Sequence, residues 1–434
     1  MINWFKKKRG FEDAQAAPGE EADDSRRHVA RGERAIANGD MAAARRHLNC
    51  ATLLDPHDAN AFYLLGKVAQ AQGDISGAIE NFNEALDIQP DLIAVFRDLS
   101  QIYLDTEKFK DAERVLLDAI SHHQNSALFH ALAGNLYNHC RDPEKAIESY
   151  RRALSIQSER VDTHNNLGTV LHEQGQFEAA IWHLRRALEI EPDSLVIHSN
   201  LLLILSFDTK SSNPNWQYFP EAKKFGSKAT GKARQYTSWS TDRKEQFARL
   251  GTPRLRVGFV SGDLRNHPVG YFMEGVLSNL NPENIELVAY SMNAIDDALT
   301  KRIRPCFVQW RSIVAMSDEA AARKIHDDGI QILIDLSGHC AHNRLSVFSW
   351  KPAPVQAIWL GYLATTGVSE IDYVLADPVA APNSVQDQFS EVILRLPETF
   401  FCFTPPAESS KLTINPLPAI QNRFITFGDR KSVV

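Results

Sequence analysis

A repeat with a period of 34 residues runs through the first half of the chain and limits what this half can fold into. Each unit has a small residue, an alanine, a large apolar residue and a second alanine at fixed distances. Small residues let two helices approach closely, while the large residue fills the space between them. The small position falls at Gly32, Gly66, Ser100, Gly134 and Gly168, and the large one at Leu48, Phe82, Leu116, Tyr150 and Leu184. The pattern predicts a solenoid of helix pairs.

The period is that of tetratricopeptide repeats, so we predict an α-solenoid over residues 27–207. The apolar segment Ser199–Leu205 is expected to be its capping helix. Such stacks leave a concave surface that binds extended peptides. Four asparagines on first helices are candidates for bonding a peptide backbone there, and ordinary solvated positions explain them equally well. They are Asn135, Asn165, Asn166 and Asn200.

Composition excludes several classes of protein. The 434 residues carry a net charge of −7, which argues against a nucleic-acid binder. Five scattered cysteines do not form a disulfide framework, so a cytoplasmic location is expected. No apolar run is long enough to span a membrane. Residues 12–26 are rich in Ala, Gly and acidic side chains, and we predict that the N-terminus is disordered over residues 1–26.

The second half alternates short β-type runs with helical patterns. After a predicted linker at 208–254, six strands are expected between residues 256 and 396, with helices between them. This alternation predicts a parallel, doubly wound sheet. The predicted fold is therefore an α-solenoid followed by an α/β Rossmann-like lobe at 255–428.

One candidate site follows the first of these strands, in the segment Leu255–Gly270. A strand, a polar loop and a helix succeed one another there, and ligands bind where such strands end. The loop carries Asp263 and His267, an acid and an imidazole that together can move a proton during group transfer. The alternative is that Asp263 caps the next helix and His267 is simply polar.

Two further loops at strand ends carry polar or flexible residues. Asp335 ends a buried strand, and we expect a binding loop after it and another after the next strand. A metal site at His339-Cys340-x-His342 lacks a clear fourth ligand, so a polar binding loop is the preferred interpretation. The candidate substrate-binding residues are His339, Arg344, Gly361, Tyr362 and Thr366.

Several motifs in fixed order resemble the protein O-linked N-acetylglucosamine transferases of the bacterial branch. The repeats run into Val-Gly-Phe-Val-Ser-Gly-Asp-Leu-Arg-Asn-His-Pro at 257–268. Asp-Gly-Ile-Gln-Ile-Leu-Ile-Asp-Leu-Ser-Gly-His at 328–339, Pro-Ala-Pro-Val-Gln-Ala-Ile-Trp-Leu-Gly-Tyr at 352–362 and Thr-Thr-Gly at 365–367 continue the match. The resemblance extends from Gly32 to Gly428.

The resemblance implies the first half of a GT-B glycosyltransferase. Such enzymes transfer N-acetylglucosamine from a UDP-sugar to Ser or Thr of proteins with inversion, and they use no metal or cofactor. The catalytic Asp and His of the family fall on Asp263 and His267, and Pro268 follows as a substrate-binding position. Acceptor proteins are expected in the repeat groove, with neither nucleic acid nor membrane as partner, and a homo-oligomer stays open. The alternatives are a non-catalytic tetratricopeptide adaptor, or a relative that uses fucose or glucose as donor sugar.

The resemblance also bears on the end of the chain. Members of the family continue into a second lobe that holds most of the donor, whereas this sequence stops soon after Gly428. We therefore expect the chain to be a fragment of a longer enzyme, inactive alone. Residues 429–434 are expected to be a non-native tail.

Overall fold

The computed structural model describes residues 18–207, 218–239 and 254–403, together with 416–417, 420 and 423–424. The expectations for 1–17, for the ends of the linker and for the tail at 429–434 lie outside these residues. The chain divides into two compact units, Met1–Ile197 and His198–Val434. Each unit is described separately below.

The first unit consists of antiparallel helix pairs, as the repeat predicts. Asp side chains cap several of these helices by accepting a backbone N–H, as Asp58 does from Ala61. The helices are α1 Pro18–Ala37, α2 Met41–Leu54, α3 Ala59–Ala71, α4 Ile75–Ile88, α5 Ile93–Asp105, α6 Phe109–His122, α7 Ala127–His139, α8 Pro143–Ile156, α9 Val161–Glu173 and α10 Phe177–Ile190. The predicted α-solenoid is confirmed.

The small and large positions of the repeat meet within each pair of helices. A Cβ built on Gly66 would lie 2.4 Å from the Phe82 ring, and one on Gly134 would lie 2.5 Å from the Tyr150 ring. Phe82 and Tyr150 are themselves almost completely buried. Glycine is therefore required at these positions because the partner side chain occupies the space of its missing Cβ.

The N-terminal boundary differs from the prediction. Helix α1 begins at Pro18, inside the segment 1–26 that we expected to be disordered. Ser25 is buried, and its hydroxyl donates to the carbonyl of Ala51 on α2 at 3.2 Å. Contact with α2 thus extends helical order further towards the N-terminus than composition indicates.

Within its described residues, the second unit is built on a seven-stranded, fully parallel sheet with the order β3-β2-β1-β4-β5-β6-β7. This is the predicted doubly wound topology. The six predicted strands are present, and β3 is an additional short edge strand that the sequence did not indicate. The strands are β1 Leu255–Ser261, β2 Ile285–Ser291, β3 Gln309–Ser312, β4 Ile332–Asp335, β5 Val355–Ile358, β6 Tyr373–Ala376 and β7 Val392–Arg395.

Helices cover the sheet, and two of them precede its first strand. Numbering continues with α11 Leu195–Phe207, α12 Tyr218–Gly231, α13 Pro268–Asn279, α14 Ala298–Ile303, α15 Asp318–Asp327 and α16 Leu345–Phe348. Short 3-10 helices lie at Arg304–Cys306 and Asn383–Gln388. No helix in the described part of the chain is both long and apolar enough to cross a membrane.

The predicted linker at 208–254 contains a helix that packs closely on the α/β unit. A Cβ built on Gly226 of α12 would lie only 1.7 Å from the carbonyl oxygen of Gly367. Gly367 itself has a φ of +73°, and a Cβ there would lie 2.0 Å from the carbonyl oxygen of Ala222. Thr230 donates to both carboxylate oxygens of Glu370, at 3.1 and 2.9 Å. Residues 218–231 are therefore part of the lobe, because two glycines let the backbones touch.

Candidate functional site

The candidate site lies where the strand order of the sheet reverses. β1 has β2 as its neighbour in one direction and β4 in the other. The chain therefore runs outward in opposite directions after β1 and after β4, and the two connections lie on opposite faces of the sheet. Val260 near the end of β1 is in register with Asp335 at the end of β4. Ligands of open α/β sheets bind in the crevice at such a point.

Asp263 lies in the loop that leaves β1 and is almost completely buried. Its backbone N–H donates to the Ser261 hydroxyl at 2.9 Å, which fixes the turn. One carboxylate oxygen lies 3.6 Å from Arg265, and the other lies 3.8 Å from Nδ1 of His267. The structure thus brings together the acid and the imidazole that the sequence singled out.

His267 is the N-cap of α13, and its side chain remains 37% exposed. Its Nδ1 accepts the backbone N–H of Val269 at 3.3 Å, so this nitrogen carries a lone pair in the neutral ring. Burial lowers the pKa of His267, and although Asp263 acts in the opposite direction, the net pKa lies below 6.5. The imidazole is therefore neutral at pH 7 and able to accept a proton.

The loop between Asp263 and α13 is held rigidly. Asp297 accepts the backbone N–H of Asn266 at 2.6 Å, and the Thr300 hydroxyl donates to the carbonyl of Leu264 at 3.1 Å. Pro268 occupies the first turn of α13, where no N–H is needed. Such support keeps the two candidate catalytic side chains at their present separation.

Asp335 and Ser337 add buried polar atoms beside this loop. Asp335 is fully buried, and one of its oxygens accepts the backbone N–H groups of Ser337 at 3.2 Å and Gly338. Its other oxygen and the Ser337 hydroxyl have no hydrogen-bond partner among the described residues. Burial raises the pKa of Asp335 to about 7, and the charge of Asp263 acts in the same direction. Sequence reasoning placed Asp335 at this edge of the sheet but did not include it among the site residues.

His339 is placed differently from our expectation of a binding loop. Its ring is fully buried. Nδ1 lies 2.7 Å from the Ser199 hydroxyl, and Nε2 lies 3.0 Å from the carbonyl oxygen of Thr366. Burial lowers the pKa of His339 to about 3, so the ring stays neutral. His339 therefore fastens α11 and the loop after β5 to the lobe instead of facing open solvent.

Tyr362, Thr366 and Gly361 are also occupied by contacts within the lobe. The hydroxyl of Tyr362 lies 2.7 Å from that of Tyr218. The hydroxyl of Thr366 donates to the buried carboxylate of Glu391 at 2.5 Å, a partner that sequence reasoning missed. A Cβ on Gly361 would lie 1.9 Å from the carbonyl oxygen of Leu336. Gly361 is a predicted substrate-binding residue, but the space of its missing Cβ is taken by the neighbouring backbone.

Arg344 directly precedes α16, and its side chain is 12% exposed. Its guanidinium donates to the carbonyl of Met316 at 3.0 Å and pairs with Asp318 at 2.7 Å. These contacts position the connection between β3 and α15. Among the described residues, no three His, Cys, Asp or Glu side chains converge as ligands of a metal ion would.

The repeat asparagines form a hydrogen-bonded cluster in the first unit. Asn166 donates to the side-chain oxygen of Asn135 at 2.9 Å, and Asn165 donates to that of Asn166 at 3.2 Å. The Tyr150 hydroxyl also donates to Asn135, at 2.8 Å. Asn200 lies on α11 in the second unit. The structure therefore brings together three of the four predicted asparagines, Asn135, Asn165 and Asn166.

Comparison with known families agrees with both halves of this description. Residues 236–405 match Glycosyl transferase family 41. Residues 29–93, 69–136 and 126–192 match tetratricopeptide repeat families. The chain thus combines segments that match tetratricopeptide repeats with a segment that matches family 41 and contains the crevice described above.

Two curated proteins illustrate what the chain is similar to. The Petunia hybrida protein called probable UDP-N-acetylglucosamine–peptide N-acetylglucosaminyltransferase SPINDLY is 36% identical over 198 residues, which is 45% of this chain and 20% of that protein. The Arabidopsis thaliana protein of the same activity name, SEC, is 37% identical over 152 residues, 35% of this chain and 16% of that protein. The chain thus matches about a fifth of the length of these curated relatives.

A solved structure extends the likeness across both units. A variant of the Thermobaculum terrenum O-GlcNAc transferase superposes with a TM-score of 0.61 at 28% sequence identity. The match covers 81% of this chain and 59% of that one. The repeats and the parallel α/β lobe of this chain are therefore similar in fold to the matched part of that O-GlcNAc transferase.

Proposed function

We propose that this chain, an O-GlcNAc transferase-type protein by its repeats and its family 41 domain, belongs to an enzyme that transfers N-acetylglucosamine from a UDP-sugar to Ser or Thr hydroxyls of proteins. The observation that carries the proposal is the placement of Asp263 and His267 together at the switch point of that domain. A cytoplasmic location is part of the proposal and agrees with five unpaired cysteines.

The geometry suggests how these two side chains act. The acceptor oxygen attacks the anomeric carbon, a new C–O bond forms, and the bond to the diphosphate breaks as UDP leaves on the opposite face. The hydroxyl proton passes to the neutral imidazole of His267. Asp263, 3.8 Å from Nδ1, stabilises the imidazolium that results.

The neighbouring residues have supporting roles in this proposal. Pro268 and the N-terminus of α13 border the crevice directly after His267. His339, Tyr362, Thr366 and Gly361 keep the loops after β4 and β5 in place through the buried contacts described above. The acceptor polypeptide is held by the repeats, where Asn135 and Asn166 offer amide groups to its backbone.

The test is a transfer assay on the product of the complete gene, with acceptor peptides and labelled UDP-N-acetylglucosamine. Asp263→Asn and His267→Ala are each expected to lower kcat by about 100-fold or more, because a positioned acid–base group contributes that much. Matched controls are Asp327→Asn, at the end of α15 that leads into β4, and His57→Ala, in the repeats; both residues are exposed. Transfer should be unchanged in both.

The same assay separates the alternatives. Parallel reactions with nucleotide-activated glucose and fucose identify a relative with another donor sugar. If both site variants transfer sugar as fast as the unmodified protein, the catalytic assignment is wrong. If no donor supports transfer while the repeats bind peptides, the protein is a tetratricopeptide adaptor.

A further inference from the structure

Two side-chain clusters in the repeats occupy the same register positions two repeats apart. The amide cluster consists of Asn135, Asn165 and Asn166, and a second cluster consists of Lys67, Arg97 and Asp98. Each member of the second cluster precedes its amide counterpart by 68 residues, or two repeats. The coincidence holds for all three positions.

The hydrogen-bond pattern is also repeated. In the amide cluster, Asn166 binds Asn135 of the preceding repeat and its own neighbour Asn165. In the charged cluster, Asp98 lies 3.1 Å from Lys67 of the preceding repeat and 2.8 Å from its own neighbour Arg97. The two clusters are thus the same arrangement on first helices, once with neutral amides and once with charges.

The charged cluster presents cations to solvent. The Asp98 side chain is only 9% exposed and also accepts the Tyr63 hydroxyl at 3.2 Å, whereas Lys67 and Arg97 are 39% and 48% exposed. One buried carboxylate therefore neutralises one of two accessible cations. Burial acts to raise the pKa of Asp98, but the hydrogen bonds from Arg97 and Lys67 outweigh it and hold this pKa below 3.8. The cluster keeps a net positive charge at neutral pH.

We propose that Lys67 and Arg97 form a specificity subsite for an acidic side chain of the polypeptide whose backbone the amide cluster holds. This inference rests on the proposed role of the repeats in acceptor binding and adds a sequence preference to it. An incoming Asp or Glu meets two cations that Asp98 has already oriented. A Lys or Arg at the same point meets them with like charge.

The spacing of the clusters defines the acceptor segment. The first helices of successive repeats contact one another from α5 to α9. With axes about 8–10 Å apart, two repeats span roughly 16–20 Å. An extended chain covers this distance with about five to six residues at about 3.3 Å each. The acidic residue is therefore expected about five to six residues from the part bound by the amides.

The test measures binding of fluorescent peptides of about 14 residues, long enough to reach both clusters. The peptides are built from Gly, Ser and Thr. Near one end, each peptide carries two adjacent residues of one type: two Glu, two Gln or two Lys. The Glu peptide is expected to bind about three- to tenfold more tightly than the Gln peptide, and the Lys peptide more weakly than either. Added salt should reduce the difference.

Variants of the chain assign this preference. In the Lys67→Gln/Arg97→Gln protein, the Glu peptide should bind no better than the Gln peptide. Asn135→Ala should weaken binding of all three peptides by a similar factor. Lys145→Gln is the control. Lys145 is also an exposed lysine that pairs with an aspartate, Asp142, but it lies on α8, the second helix of its repeat.

Two results count against the inference in distinguishable ways. Equal binding of the Glu, Gln and Lys peptides, with Asn135→Ala still weakening all of them, overturns the acidic subsite and leaves the proposed function standing. Absence of peptide binding at millimolar concentration overturns both the subsite and the acceptor-binding role of the repeats.

Discussion

Replacing Asp335 by Asn isolates the effect of one buried ionisable group on the stability of the α/β unit. The carboxyl is fully buried, one oxygen accepts two backbone N–H groups, and the other has no partner among the described residues. Asparagine keeps the shape and can still accept both N–H groups through its carbonyl oxygen. The substitution therefore removes the titration and little else.

The expected magnitude follows from the shifted pKa. Burial raises the pKa of Asp335 from 3.8 to about 7, so the folded state binds the proton more strongly than the unfolded chain. This contribution to stability is complete below the unfolded pKa and is lost as the pH rises through the folded one. At about 1.4 kcal/mol per pKa unit, the loss reaches up to about 4 kcal/mol by about pH 8. Asp335→Asn should avoid this loss.

Denaturant unfolding at about pH 4.5 and about pH 8 measures the effect, with the difference between variant and unmodified protein as the quantity of interest. Asp335→Asn should be near neutral at the lower pH and stabilising at the higher one. Asp377→Asn is the control. Asp377 directly follows β6, and N–H groups of Ala380, Phe400 and Val379 hold its pKa below 3.8. Its contribution to stability is lost only as the pH falls through that lower pKa, so the effect of Asp377→Asn should be nearly the same at both pH values. A difference for Asp335→Asn that does not change with pH would refute the reasoning.

Three other results are expected. Gly66→Ala should destabilise the repeat unit by about 1–3 kcal/mol in thermal unfolding, because its Cβ would lie 2.4 Å from Phe82; adding Phe82→Leu should recover part of the loss. His339→Gln should cost about 2–4 kcal/mol near pH 7 through its buried hydrogen bonds. Since burial lowers the pKa of His339 from 6.5 to about 3, the unmodified protein should also lose stability as the pH falls across that window, whereas the variant should show a flatter profile; parallel profiles would contradict this.

The fold was predictable where its determinants are local in sequence. Gly66 and Phe82 are 16 residues apart and meet within one helix pair, so the repeat spacing reveals the contact directly. Strand β1 was recognisable because it is a buried β-branched run. Strand β3 was not, because Gln309–Ser312 is short, partly exposed and polar at most positions.

The candidate site was likewise predictable only where its residues are close together in the sequence. Asp263 and His267 follow one strand within a few residues, so their proximity is a local property. The role of His339 depends on Ser199, which lies 140 residues earlier in the chain. No periodicity links two such positions, and the sequence therefore indicated a binding loop where the folded chain has a buried hydrogen bond.

Because the two clusters lie a whole number of repeats apart, the number of repeats between them sets the spacing of the contacts along a bound peptide. Lys67 and Asn135 belong to units of identical size and the two clusters occupy adjoining pairs of units, so inserting one unit between α6 and α7 would move the clusters one repeat further apart without altering either. The preferred acidic residue would then move by about three positions along the bound segment. Gain of whole repeats is thus a route by which such a protein changes the sequences it selects while its catalytic lobe stays the same.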